Sequence, residues 1–192
     1  KKLAGIVLNE NPKETTKQME EEITSTVGII KENISLRRFT TMEASANNLF
    51  SSYIHGEGRI GVVVKLELDN AQAKSNDAVK ELAFNLTLHI AAFNPLYVSE
   101  EKIDAAYIKE KEGIFTAQAA HLDKPENILA GIVKGKMKKH FAEICLLDQN
   151  YVRDEKLRVK TVLDNVGKEA GTAIKIADYI YYKVGEEISS DQ

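Results

Sequence analysis

Between residues 49 and 68 two alternating runs of apolar and polar positions stand on either side of a glycine-rich turn. Leu49, Ser51, Tyr53 and His55 alternate with Phe50, Ser52 and Ile54, and Val62, Val64, Leu66 and Leu68 alternate with Val63, Lys65 and Glu67. A period of two is that of a half-buried strand, so the stretch predicts a β-hairpin. Gly56, Glu57 and Gly58 make its turn, because glycine adopts positive φ without steric cost and lets the backbone reverse there. His55 and Arg59 flank the tip.

Elsewhere the period is mostly helical. Met19, Ile23, Val27 and Ile30 recur at helical spacing, and Asn11, Pro12 and Glu14 read as cap, first-turn proline and capping-box acid, which predicts a helix starting near Pro12. Ile34 to Met42 alternates irregularly and predicts a strand beneath it. After the hairpin, Ser75 and Asn76 can cap a helix whose apolar face is Val79, Leu82, Ala83, Leu86, Ile90 and Phe93, ended by Asn94-Pro95. From Ser99 to Cys145 the pattern is that of two charged helices joined at Leu122-Asp123-Lys124-Pro125. The second arm carries Ile128, Leu129, Ile132, Val133, Met137, Phe141 and Ile144, and the first offers Ile103, Tyr107 and Ile114 among alanines. Val159, Val162, Leu163 and Val166 predict a short helix. Ala173 to Val184 then alternates as a strand with Ile174, Ile176, Ile180 and Tyr182 on one face, expected to join the hairpin's sheet.

The fold class expected is α+β: two small antiparallel-sheet-plus-helix subdomains with an inserted, coiled-coil-like antiparallel helical hairpin. The expected division is 1–46, a remnant of an amino-terminal core subdomain; 47–97, the first part of a carboxy-terminal core subdomain; 98–145, the helical hairpin; and 146–192, that subdomain's second part and tail.

A length of 192 residues can bury a respectable core, and 29% charged residues is ordinary. A net charge of −3 without a long basic stripe gives no electrostatic footprint for nucleic acid; Lys134, Lys136, Lys138, Lys139 and His140 read as a solvated helix face. Cys145 is the single cysteine, inside the apolar run ICLL, and reads as a buried thiol in a reducing compartment. No apolar run approaches a membrane span, and Leu3 to Leu8 is too short for a signal peptide. The histidines at 55, 89, 121 and 140 show no metal-ligand spacing, and neither a phosphate-cradling glycine loop nor a nucleophile elbow occurs. Enzymatic chemistry and a bound metal or cofactor are therefore not expected. His89 reads as a satisfied, partly buried histidine, and His121 and His140 as helix-surface residues. His55 is either a turn residue with local hydrogen bonds or a presented contact; Arg37, Arg38 and Arg59 either make contacts or pair with acids such as Glu43.

The segment SYIHGEGRIG at 52–61, running into VVVKLEL, resembles elongation factor Ts when read with four others. These are KENISLRRF at 31–39, LTLHIAAFNPLYVSEEKI at 86–103, DKPENILAGIVKGKMKKHF at 123–141 and YYKVGEEI at 181–188. The resemblance covers nearly the whole chain, with the motifs in the family's order. It implies nucleotide exchange on the GTPase elongation factor Tu in a bacterial-type cytoplasm, without a direct nucleic-acid or membrane partner. It implies a partner-binding set of Ile30, Asn33, His55, Gly56 and Arg59, with Ile30 an apolar contact and the His55–Gly56 tip near the phosphate-loop side. It also implies a homodimer through 98–145. The family's TDFV segment, which resembles a wedge on the magnesium side, does not occur here, so Lys1 reads as a cut through a longer protein. The family's VGEGIE appears as VGEEIS, with Glu187 in place of glycine. The alternative is a coiled-coil interaction module without exchange activity.

Overall fold

The computed structural model describes residues 1–187, so Ile188 and Ser189 of the VGEEIS segment lie outside the described residues. The chain forms two compact units, 1–45 and 46–192. The first contains α1 (Lys2–Glu10) and α2 (Lys17–Ile30), which pack on each other and are tied by an ion pair of 2.7 Å between Lys2 and Glu22. Asn11 does not open the second helix. It closes the first in the left-handed region at φ 43°, its amide donating to the Val7 carbonyl. Pro12 follows in the linker, where a residue that cannot continue a helix belongs. The cap of α2 is Thr16, whose hydroxyl accepts from the Met19 amide at 3.4 Å. Residues 34–42 form no strand. Among the described residues of this unit no second strand exists to pair with, and an unpaired strand leaves its ladder groups unsatisfied.

The second unit is built on a three-stranded antiparallel sheet in the order β1-β2-β5, from β1 (Asn48–His55), β2 (Ile60–Leu68) and β5 (Ile174–Lys183). The central strand sends Val62, Val64, Leu66 and Leu68 into the core, as their alternation requires. Covering them is α3 (Asp77–Phe93), through Val79, Leu82, Leu86 and Ile90. Asn76 caps this helix by accepting from the amides of Ala78 and Val79, and Asn94 ends it at φ 43°. Phe93, expected on the apolar face, is 50% exposed, because it is the last helical residue and the core ends at Ile90.

Strand β5 differs from simple alternation. Lys65 pairs with Asp178 but Leu66 pairs with Ile176, which leaves Ala177 as a bulge. Ile174 and Ile176 face the core before it; after it Tyr179 and Tyr181 do, in place of the expected Ile180 and Tyr182. One extra residue in a strand shifts every later side chain to the other face.

Between α3 and the returning strand come α4 (Ala105–Ala120), α5 (Glu126–Ile144), the short pair β3 (Asn150–Tyr151) and β4 (Asp154–Arg158), and α6 (Val159–Ala170). Helices α4 and α5 pack through Ala119, Val133 and Met137, flanked by Ile108, Phe115, Leu129 and Phe141. Ile114 and Ile128 of the anticipated stripes stay exposed, at 40% and 47%. Where the chain leaves for and returns from this pair, Leu146 donates to the Tyr97 carbonyl and the Leu96 and Tyr97 amides donate to Ile144. The two chain crossings thus lie side by side.

Candidate functional site

The hairpin connecting β1 to β2 is closed by the Arg59 amide donating to the Gly56 carbonyl at 3.1 Å. Both central residues of that turn have positive φ, Glu57 at 57° and Gly58 at 93°, with Gly56 at 59° before them. Positive φ at both central positions is the requirement of a type I′ turn, whose twist matches that of the paired strands. A Cβ on Gly56 would meet the Cβ of Arg59 at 3.7 Å, so the arginine stem lies against the bare glycine. The Val184 amide donates to the Arg59 carbonyl at 2.8 Å, which ties the turn to the end of β5. The tip is therefore held by hydrogen bonds on both sides.

His55 ends β1 opposite Ile60, and its side chain is exposed. Its Nδ1 lies 2.9 Å from the Tyr53 hydroxyl oxygen, with the rings 5.8 Å apart. Tyr53 in turn meets Phe84 of α3 edge to face, centroids 6.1 Å apart at 88°. Sequence reading did not assign Tyr53 a role. The signal was present, since residues two apart on a strand share a face. Beside this group Ile54 and Val184 are 71% and 73% exposed, apolar side chains flanking the turn.

The structure brings His55, Gly56 and Arg59 together on this tip. Ile30 and Asn33 lie in the first unit, Ile30 as the last residue of α2 and 45% exposed, Asn33 exposed just beyond it. Lys31 ends that helix at φ 62°, its amide donating to the Val27 carbonyl, and Ile29 and Ile34 are exposed as well, at 78% and 40%.

Two of the remaining histidines pack within the fold. His89 is fully buried rather than partly so: Nε2 lies 2.9 Å from the Gln149 amide oxygen and Nδ1 accepts from the Val152 amide. His140, expected on the helix surface, is half-buried, with Nε2 3.0 Å from the Tyr107 hydroxyl and its ring edge-on to Phe115. The surface reading failed because α4 supplies an aromatic neighbour that the α5 pattern does not contain. His121 is exposed at the end of α4. Cys145 is buried, and desolvation pushes its thiol up to about 12, so it stays protonated and inert as a nucleophile. Among the described residues no group of three or more His, Cys, Asp or Glu side chains is arranged to hold a metal ion.

A model of the family described as elongation factor TS matches residues 5–186. The chain belongs to the elongation factor Ts family. It is 39% identical to elongation factor Ts of Treponema denticola over 95% of this chain and 65% of that one. With the factor of Borrelia hermsii the identity is 42% over 88% and 61%, and with that of Clostridium acetobutylicum 39% over 97% and 59%. The chain thus spans about three fifths of the length of these curated relatives. No helix of the described residues is long and apolar enough to cross a membrane.

Proposed function

We propose that this chain binds a GTPase of the elongation factor Tu type and promotes release of its GDP, acting by binding rather than by covalent catalysis. The observation that carries this reading is the His55–Gly56–Arg59 tip, fixed on a hairpin yet exposed, in a chain of the elongation factor Ts family. The glycine lets the chain turn at positive φ with the arginine stem against it, while the histidine and arginine supply donors. Ile30 and Asn33 form the second contact region, with an apolar residue left half in solvent at the end of α2.

The physical requirement is differential affinity. A factor that binds the nucleotide-free GTPase more tightly than the loaded one weakens nucleotide binding by the same factor. A GTPase holds its phosphates through backbone amides, a lysine and magnesium, so a tip that perturbs the phosphate-loop side loosens several contacts at once. No proton transfer is needed.

Helices α4 and α5 act in this reading as an inserted, coiled-coil-like hairpin within the subdomain formed by 47–97 and 146–192, with 1–46 belonging to another. The side-by-side chain crossings at Tyr97 and Leu146 support the insertion. A groove of about 600 Å³ along the pair, lined by Ile108, Leu129, Val133 and Met137 among others, offers a surface for homodimerisation. The relatives are bacterial, which supports action in the cytoplasm.

The test is capture of elongation factor Tu in nucleotide-free and GDP-loaded forms, with stopped-flow release of a fluorescent GDP. Preferential capture of the nucleotide-free form is expected. Equal capture of both forms would support an interaction module without exchange activity instead, and sedimentation velocity over a range of concentrations checks the dimer.

A further inference from the structure

Exposed histidines at strand ends ordinarily sample several rotamers and both neutral tautomers. His55 does not stand alone in this way: the Tyr53 hydroxyl reaches its Nδ1 at 2.9 Å, and Tyr53 is itself set by its edge contact with Phe84 of the core helix. A phenol and an imidazole can bond either way, the hydroxyl donating to a bare ring nitrogen or a ring N–H donating to the hydroxyl oxygen. Where the Tyr53 O–H donates to Nδ1, the proton of a neutral ring sits on Nε2.

We propose that Tyr53 is a positioning residue for His55, donating to Nδ1 so that the tip presents Nε2–H as a hydrogen-bond donor to an acceptor oxygen of the GTPase. This rests on the reading of His55 as a contact residue and adds the chemistry of that contact. The matching atom on the partner is a carbonyl, carboxylate or phosphate oxygen, and not an N–H. Because the orientation is set before binding, less side-chain freedom is lost when the complex forms.

The experiment is a double-mutant cycle between Tyr53 and His55, read as affinity for nucleotide-free elongation factor Tu by titration calorimetry. Tyr53→Phe keeps the ring against Phe84 and removes only the hydroxyl, and its melting temperature is expected within about 2 °C of the parent. Affinity should fall about three- to tenfold, the size of one modest hydrogen bond. In a His55→Ala background the same substitution should change nothing. His55→Gln, whose amide nitrogen can stand near the Nε2 position, should retain part of the affinity and be insensitive to Tyr53→Phe. Nitrogen-15 shifts of the His55 ring give a readout that a purely structural role would not move: the parent should show the Nε2–H form, and Tyr53→Phe a mixture. Equal loss in both backgrounds, or a ring spectrum unaltered by Tyr53→Phe, overturns the positioning role. A His55→Ala variant with full affinity overturns instead the contact reading beneath it, whatever the ring spectrum shows.

Discussion

His89 illustrates how much one buried side chain can fix. The Gln149 side-chain nitrogen donates to the Glu143 carbonyl, so its oxygen faces His89, which makes Nε2 the donor and leaves Nδ1 to accept from Val152. One neutral imidazole thereby ties α3 to the end of α5 and to the turn after β3. The groups facing it are Gln149, the Val152 amide and the rings of Phe93 and Tyr151, and no carboxylate is among them to favour the imidazolium. Desolvation by burial lowers its pKa below the usual 6.5, outweighing the bond to Gln149, which raises it. For a base with a depressed folded value, the unfolded chain binds the extra proton first. The stabilisation is therefore complete above the ordinary histidine value and is lost as pH falls from there through the folded one. Urea midpoints should drop between pH 7.5 and 5, and His89→Gln should flatten that dependence while costing about 1–3 kcal/mol at pH 7.5. A slope unchanged in the variant would assign the effect to other groups. That His89 is satisfied was legible from its place beside Ile90 on an apolar helix. Its partner was not, because Gln149 lies 60 residues away and only the folded chain brings the two together.

At the scale of elements, glycines separate packing from propensity. Gly167 is buried in α6, and a Cβ there would fall 2.7 Å from the Thr172 carbonyl oxygen, a backbone atom that cannot step aside. Gly131 and Gly135 lie within α5 with nothing inside 4 Å of an added Cβ. Helix propensity favours alanine at all three by about 1 kcal/mol, but the clash at Gly167 should reverse the sign, to a loss of about 1–3 kcal/mol. Thermal melts are expected to show Gly131→Ala and Gly135→Ala raised and Gly167→Ala lowered; a stabilised Gly167→Ala would mean the turn to β5 relaxes freely. The hairpin β1-β2, helix α3 and helix α6 were readable because each carries a full local period and its own turn or cap. Three things were not. Asn11 serves either end of a helix, and only the presence of α1 before it decides which. Residues 34–42 have strand-like composition but no strand to pair with among the described residues of their unit. The bulge at Ala177 is one residue of phase with no composition of its own, and it exchanges Ile180 and Tyr182 for Tyr179 and Tyr181 in the core.

For the whole molecule, affinity and exchange are separable quantities. The residues that the resemblance implies as partner-binding fall in both compact units, Ile30 and Asn33 in one and the His55 tip in the other, and the tip is an exposed turn with positive φ at its glycines. What residue patterns could not supply is the role of any of these side chains, since a contact leaves no period in the sequence. The sequence holds no TDFV segment, the region that in the family resembles a magnesium-side wedge. On the proposed mechanism this chain by itself should bind nucleotide-free elongation factor Tu through Ile30, Asn33 and the His55 tip, yet release GDP slowly. Affinity depends on the sum of contacts, whereas exchange depends on the part of that sum the nucleotide opposes. If the wedge supplies about 3 kcal/mol of that coupling, release is slowed by roughly two orders of magnitude relative to a full-length relative, since each 1.4 kcal/mol is a factor of ten. Calorimetric titration and stopped-flow GDP release on one preparation measure both quantities. Measurable binding with slow release is expected. Release as fast as that of a full-length relative would instead assign the whole coupling to Ile30, Asn33 and the His55 tip, and His55→Ala should then abolish most of it.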